Sequence, residues 1–207
     1  MVDGKNIAPT EANVAVIVRN CIYTTSELDA EPRQSEIVTG IAQHIFDPVS
    51  GRVDVLRHNY AVILSQDCDL LQDYNTRQKG EQSDLNSVLV FEAEPWSKVK
   101  TLVSGRDIWK PLGQNKNERY HLLEEVPAAC DCAGEGLPAL VIDFRKLFAL
   151  SAIEIGRQFG LGKDGAQRRC RMVAPYREHL QSRMAFYLQR VGIPEPHRVP
   201  AAVVPTG

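Results

Sequence analysis

Residues 60–74, which read YAVILSQDCDLLQDY, constrain the fold of this chain more than any other segment. Residues 60–64 are continuously apolar and rich in β-branched side chains, a pattern typical of a strand that is covered on both faces. The polar letters SQDCD follow at once, where such a strand must leave the sheet. Because binding and catalytic groups are commonly built at strand ends, we expect the structural and functional centre of the protein here.

Further short segments also predict strands. They are residues 13–23, 35–46 with a break at Gly40, 52–56, 87–93, 119–124 and the beginning of 137–150. Residues 73–85 are polar and predict a long surface loop. Pro175, followed by apolar side chains three or four residues apart, predicts a helix over 175–191 that Gly192 ends. The pattern indicates an α+β fold, either a small curved antiparallel sheet or a partly closed barrel, with the C-terminal amphipathic helix packed on it.

The composition is that of an ordinary globular protein. The chain has 207 residues, of which 43% are hydrophobic and 24% charged, and this fits one large domain or one domain with extensions. No apolar run approaches the roughly 20 residues that a membrane-spanning helix needs, and the N-terminus lacks the order of a secretory signal. We therefore expect a cytoplasmic protein that does not interact with membranes.

The letters SQDCD hold the first group of candidate site residues, which are Ser65, Gln66, Asp67, Cys68 and Asp69. If the strand continues through them, alternation directs Asp67 and Asp69 to one face and buries Cys68 on the other. The two carboxylates would then share a divalent cation or a basic partner. In the structural alternative Cys68 is a small core residue, while Asp67 and Asp69 cap a turn or bind arginines.

Two catalytic readings of the same letters need a histidine. A metal centre on Asp67 and Asp69 would take His58 or His121 as a further ligand. A nucleophilic Cys68 would use one of these histidines as its base, although carboxylates beside a thiol disfavour its ionised form.

A second candidate surface is the arginine-rich segment 167–190, QRRCRMVAPYREHLQSRMAFYLQR. Its arginines are Arg168, Arg169, Arg171, Arg177, Arg183 and Arg190, with aromatic side chains between them. Arginine and aromatic side chains bind phosphates and stack on bases, so the segment is a candidate RNA surface. The formal net charge of the whole chain is −2, so any such binding would rely on a local patch. A salt-bridged helix face or a protein-binding surface are the alternatives.

Cysteine and glycine patterns add little chemistry. The chain has five cysteines, an odd number, and only Cys130 and Cys132 lie close in sequence. We therefore expect no disulfide framework. A zinc site at this pair would need two more ligands at suitable spacing, and a flexible loop is the favoured alternative. Residues 160–165, GLGKDG, lack the features of a phosphate-binding loop and predict a turn. We therefore expect no metal and no cofactor.

Four segments resemble the PemK/MazF toxin family. They are EIVTG at 36–40, DPVSG at 47–51, RHNYAVILS at 57–65 and LVIDFRKLFAL at 140–150. The resemblance implies that residues 35–192 form an SH3-like barrel with inserted loops and a C-terminal helix. The residues outside this range predict an N-terminal extension with one strand over 1–34 and a Pro-rich tail over 193–207.

The resemblance also bears on function, because that family cleaves RNA. It uses an arginine ahead of the apolar strand and a small hydroxyl or acidic residue on a neighbouring strand. Arg57 stands in the first place, but VFEAEPW replaces the threonine-serine element expected in the second. The resemblance therefore implies a catalytically degenerate accessory or regulatory binding protein of a prokaryotic toxin-antitoxin or phage-defence system, with a protein partner and RNA as a second candidate partner.

Two enzymatic alternatives stay open. One is an endoribonuclease for single-stranded RNA, in which Arg57, Asp67 and His121 converge on the scissile phosphate, Arg57 stabilises the developing charge and either Asp67 or His121 moves the proton. The other is a metal-dependent hydrolase centred on Asp67 and Asp69.

Overall fold

The fold was taken from a computed structural model that describes residues 21–26, 28, 31–102 and 106–189. The strands are β1 (Tyr23–Thr24), β2 (Glu36–Asp47), β3 (Arg52–Ile63), β4 (Val88–Pro95), β5 (Tyr120–Leu123), β6 (Leu140–Leu150) and β7 (Gln167–Met172). The helices are α1 (Asp67–Gln78), α2 (Trp96–Leu102), α3 (Arg106–Gly113), α4 (Ala152–Gly160) and α5 (Tyr176–Gln189). Short 3-10 turns lie at Ala128–Cys130 and Gly162–Asp164. None of the described helices is both long and apolar enough to span a membrane.

The strands form one antiparallel sheet in the order β1-β7-β2-β3-β4-β6-β5. The α+β class expected from the sequence is confirmed. The SH3-like barrel is not formed, because β1 pairs only with β7 and β5 only with β6 among the described residues. Since no ladder joins these outer strands, the sheet stays open.

Helices cover both faces of the sheet. On one face Leu180 and Met184 of α5 pack on a cluster that includes Val62. On the other, Leu70 of α1 and Ile155 of α4 pack on a cluster that includes Ala61 and Ile63. The residues 61–63 are fully buried, so the prediction of a doubly covered strand is confirmed. The predicted C-terminal helix is also confirmed and begins directly after Pro175.

The chain becomes helical earlier than its sequence pattern predicts. Gln66 is still extended, but α1 begins at Asp67, with Asp67 and Asp69 in its first turn. Acidic side chains favour this position because a helix N-terminus carries partial positive charge. The predicted surface loop over 73–85 is therefore wrong as far as Gln78. Strand alternation does not apply to Cys68 either, and this side chain is exposed rather than buried.

Several other segment predictions also need correction. β2 continues through Gly40 without a break, and β3 is a single strand from Arg52 rather than two segments. Both α4 and β7 were not predicted. Of the predicted N-terminal strand over 13–23, residues 13–20 lie outside the described part of the chain, as do Arg190, Gly192 and the tail over 193–207.

A tight turn joins α4 to β7 and requires glycine at position 165. A Cβ atom at Gly165 would lie 1.9 Å from the carbonyl oxygen of Gln158. The buried Gln158 side chain in turn bonds both backbone groups of Ala42: its Oε1 accepts from the amide at 2.7 Å, and its Nε2 donates to the carbonyl at 2.8 Å. Gln158 thereby ties α4 to β2 and covers the outer edge of that strand.

We expect Gly165→Ala to lower the free energy of unfolding by about 2–3 kcal/mol, because the added methyl group must displace the end of α4. The control is Gly156→Ala, in the middle of α4, where a Cβ would meet nothing within 4 Å. That change should instead raise the unfolding free energy by about 0.5–1 kcal/mol, since alanine favours the helix. Urea denaturation of both variants measures the difference, and equal effects would contradict the packing described.

Candidate functional site

An open recess of about 620 Å³ lies at the foot of the hairpin formed by β2 and β3. We call it the Arg57 recess. Its lining consists of Thr39, Gly40, Arg57, Asn59, Tyr60, Pro95, Lys163, Asp164, Gly165, Gln167 and Arg169. The Arg57 side chain is exposed and its Nη1 donates to the carbonyl of Gly40 at 3.5 Å. Arg57 thus stands on the wall of a concave surface.

Two cations of the Arg57 recess have no acidic partner among the described residues. Within the described part of the chain, neither Arg57 nor Lys163 makes an ion pair, whereas Arg169 is bound to Asp131. Asp164 contributes one carboxylate to the same wall. Half-buried Tyr60 adds an aromatic ring. The recess therefore offers free cations beside an aromatic side chain, which suits a phosphate chain that carries bases.

Asp67 is bound by arginines, as the structural alternative predicted. Its Oδ2 accepts from Nη2 of Arg171 at 2.8 Å and from Nη1 of Arg177 at 2.9 Å. Its Oδ1 accepts from the backbone amide of Gln34 at 2.8 Å. The carboxylate thus fastens the beginning of α1 to β7 and α5, and it lies outside the lining of the Arg57 recess.

The other residues of the SQDCD letters lie around the same helix start. The Oγ of Ser65 accepts from the amide of Leu89 at 2.9 Å and so anchors the chain to β4. Ser65, Gln66 and Asp69 line a second open recess, of about 540 Å³, against α5. The thiol of Cys68 lies 3.6 Å from Oε1 of Gln66 and 3.5 Å from Oδ1 of Asp69, so its described contacts include neither of the histidines that a nucleophilic cysteine was expected to use.

A metal centre on Asp67 and Asp69 finds no support in this arrangement. The described residues contain no group of three or more His, Cys, Asp or Glu side chains placed to hold a metal ion. Both oxygens of Asp67 already accept hydrogen bonds from protein donors. His58 lies on β3 with Nδ1 3.4 Å from Glu92, and it does not join the two aspartates.

His121 is a buried core residue on β5. Its side chain is 3% exposed, and its ring lies 5.5 Å from the ring of His179 on α5. Burial, with smaller contributions from Arg183 and His179, lowers the pKa of His121 to about 3. In the part of the chain that the structure describes, the Nδ1 atom of His121 has no hydrogen-bond partner. The ring is therefore neutral at ordinary pH.

The residues predicted to form a catalytic trio are not assembled. Arg57 lies on β3 and His121 on β5, and β4 and β6 separate these strands. Three strand spacings correspond to roughly 14 Å. Asp67 is held by arginines at a helix start on another part of the molecule. No proton acceptor from the predicted trio therefore reaches the neighbourhood of Arg57.

Most arginines of the arginine-rich segment 167–190 bind groups within the protein. Arg168 pairs with the fully buried carboxylate of Glu36, and Arg169 pairs with Asp131 at 2.6 Å. Burial raises the pKa of Glu36 even though Arg168 counteracts it. Arg183 on α5 donates to the carbonyl oxygens of Asn117 and Tyr120. These contacts match the salt-bridged alternative and occupy the cations that were candidates for RNA binding.

Asp131 was missed by the sequence reasoning, although it lies between the two cysteines of CDC. Its carboxylate accepts from the amides of Glu135 at 3.1 Å and Gly136 at 2.9 Å, and from two nitrogens of Arg169. The hydrogen bonds from Arg169 are the main reason that the pKa of Asp131 falls to about 2. Cys130 forms a disulfide with Cys21 and Cys132 is exposed, so the zinc alternative lacks its ligands among the described residues.

Residues 160–165 form a turn, as predicted, yet this turn supplies two groups of the Arg57 recess. Lys163 and Asp164 both belong to the 3-10 turn Gly162–Asp164 and face the foot of the hairpin. Sequence reasoning dismissed the segment because it lacks the pattern of a phosphate-binding loop. A lysine in a glycine-rich turn was the one available signal.

Comparison of this chain with protein-family models, with curated proteins and with solved structures finds no match. The PemK/MazF resemblance therefore stays a prediction from the sequence. The free cations of the Arg57 recess and the internal ion pairs of β7 are the observations from which a function can be proposed.

We expect Asp131→Asn to change how stability depends on pH. The folded pKa of Asp131 is about 2, below the ordinary aspartate value of 3.8, so ionised Asp131 stabilises the fold above pH 3.8 and this contribution disappears as the pH falls through 2. Between these values the wild type should lose about 2 kcal/mol more unfolding free energy than the variant. Urea denaturation at a series of pH values measures this, and parallel pH profiles would contradict the role given to Asp131.

Proposed function

We propose that this chain is an accessory or regulatory binding protein that holds single-stranded RNA in the Arg57 recess without cleaving it. The observation that carries the proposal is the presence of two cations, Arg57 and Lys163, that no described carboxylate neutralises on the wall of one recess. The described arginines of segment 167–190, which was the predicted RNA surface, all bind protein groups instead.

The chemistry of the Arg57 recess suits a single strand. Arginine and lysine bind phosphate oxygens, and a tyrosine ring accepts a stacked base. Thr39, Asn59 and Gln167 add neutral hydrogen-bonding groups that can read base edges exposed in a single strand. A duplex hides these edges, so the recess favours unpaired RNA. Because the chain as a whole is slightly acidic, affinity depends on the local cations and falls with salt.

The positions of the expected proton carriers support binding without cleavage. A general base must lie within hydrogen-bonding reach of the proton that it removes. Asp67 accepts hydrogen bonds from two arginines, and His121 is buried on β5. The scaffold thus keeps the arginine that the PemK/MazF resemblance implies and lacks the partners proposed for catalysis. A role beside a toxin-antitoxin or phage-defence system is part of this proposal.

One observation favours endoribonuclease activity as a second candidate function. Thr39 on the neighbouring strand β2 and Asp164 line the same recess as Arg57. A hydroxyl or acidic residue on a neighbouring strand is what the resemblance implies for cleavage. In this candidate Arg57 stabilises the phosphorane-like charge and Asp164 accepts the proton of the attacking ribose hydroxyl.

Alanine variants of the two free cations test the binding proposal. Arg57→Ala and Lys163→Ala should each weaken binding of a labelled single-stranded RNA about 3–10-fold, and each should reduce the salt slope of log K by about 0.7. Lys116→Ala is the matched control, since Lys116 is exposed and lies outside the recess lining. Fluorescence anisotropy over a salt series measures the RNA affinity of the wild type and of the three variants.

The integrity of the RNA separates the two candidates. Binding with full-length RNA on a gel supports the proposal, and Asp164→Asn should then tighten binding because it removes a carboxylate from the wall. If the wild type produces shortened RNA and the Asp164→Asn variant does not, the protein is an endoribonuclease instead. No binding by the wild type, or an equal loss in Lys116→Ala, would overturn the recess as an RNA site.

A further inference from the structure

The hairpin of β2 and β3 extends beyond the rest of the sheet. The two strands pair as far as Asp47 and Arg52, whereas β7 pairs β2 only over residues 36–39 and β4 pairs β3 only over residues 60–63. We call residues 41–58 the arm. Among the described residues the arm has no third strand on either side, so it is a two-stranded ribbon.

The arm is unusually apolar for an exposed ribbon. Phe46 is 63% exposed and Val49 is 95% exposed. The arm also exposes Ile45, Val53, Val55 and Leu56. Contiguous exposed apolar side chains of this kind mark interaction surfaces. Open strand edges are likewise places where another strand can pair.

The two edges of the arm differ. The β2 edge is covered at Ala42 by the side chain of Gln158. Ala42 lies opposite Arg57, and its amide and carbonyl both point away from β3 towards Gln158, so the pair exchanges no backbone hydrogen bond and Arg57 also directs its backbone groups outward. Alternation along β3 then directs the backbone groups of Val53 and Val55 outward as well. The free edge of the arm is therefore the β3 edge.

We propose that a second copy of this chain pairs with that edge, antiparallel, about a two-fold axis beside Val53. This register sets Arg52 opposite Asp54 of the partner subunit, and the symmetry makes the same pair twice. Val53 then faces its own equivalent. Because Phe46 is the register partner of Val53 within each copy, an apolar row crosses all four strands of the joined arms.

Charge decides between this register and its neighbours. An axis beside Asp54 brings two like charges directly opposite, which destabilises a strand pair. An axis beside Val55 sets Asp54 opposite the partner's Leu56, so the Asp54 carboxylate of each copy has no opposite charge across the interface. The charge pattern of Arg52, Val53 and Asp54 is thus complementary to itself in the proposed register.

The exposed side chains also indicate the strength of the contact. The six apolar residues of the arm expose on the order of 600 Å² per copy, below the roughly 800 Å² per partner of a standard interface. We therefore expect a weak, concentration-dependent dimer. This inference does not rest on RNA binding, although Arg57 lies on β3 just beyond the paired residues.

Reversed charges test the register. In the proposed register Asp54→Arg and Arg52→Asp each place like charges opposite one another, so each variant alone should stay monomeric where the wild type dimerises. An equal mixture of the two restores both opposite-charge pairs, and it should recover the dimer. Sedimentation velocity of the full chain over a concentration series measures the mass, and recovery in the mixture shows that both variants are folded.

Cross-linking locates the axis independently. In a background with the exposed cysteines replaced, Cys68→Ser with Cys132→Ser, the variant Val53→Cys should form an oxidised dimer. Val55→Cys should not, because its two equivalents lie four residues apart along the strand, roughly 13 Å. A monomeric wild type at every concentration would overturn the proposal and leave the edge to a different chain. A dimer that the charge variants do not weaken, or that Val55→Cys cross-links equally, would overturn it as well.

Discussion

Three arginines close together on β7 hold the structure together through carboxylates from three different segments. Arg168 binds Glu36 at the beginning of β2, Arg169 binds Asp131 in the loop before β6, and Arg171 binds Asp67 at the beginning of α1. Each carboxylate is buried or half-buried, and an arginine that lost its partner there would leave a poorly solvated charge. The positions of α1, the 131 loop and β2 relative to β7 therefore depend on one another.

This use of arginine separates structural cations from available ones. The arginines of β7 and α5 have carboxylate or carbonyl partners within the protein and are not free to bind a ligand. Among the described residues Arg57 and Lys163 make no ion pair, the described contact of the Arg57 guanidinium being a 3.5 Å hydrogen bond to the carbonyl of Gly40, and the two cations meet at the foot of the arm. The surface proposed for RNA thus lies away from the residues that the arginine-rich sequence suggested.

Local patterns predicted those parts of the fold that local forces determine. The doubly covered strand at 60–63 and the helix α5 have an apolar pattern that a single window of sequence reveals. Helix α1 was missed because it contains three Asp and one Asn, and these residue types are also typical of turns and loops. Strand β7 was missed because its arginines are acceptable in a sheet only through acidic partners that lie 38 to 132 residues away.

The candidate site divides in the same way. Arg57 was identified through the resemblance, and the recess does contain it. Lys163, Asp164, Tyr60 and Gln167 come together only through the pairing of β2 with β3 and β7, which no local pattern encodes. The arm was read as two ordinary strands, and its exposed apolar residues became apparent only when the limits of the neighbouring strands were known.

A double-mutant cycle on Arg168 and Glu36 tests the structural role of the β7 arginines most directly. Arg168→Met and Glu36→Leu should each lower the unfolding free energy by about 3–5 kcal/mol, because each leaves one charge buried without its partner. The double variant should lose much less than the sum, with a coupling energy of about 2 kcal/mol or more. Additive losses would contradict the account, since they would mean that the two side chains stabilise the fold independently.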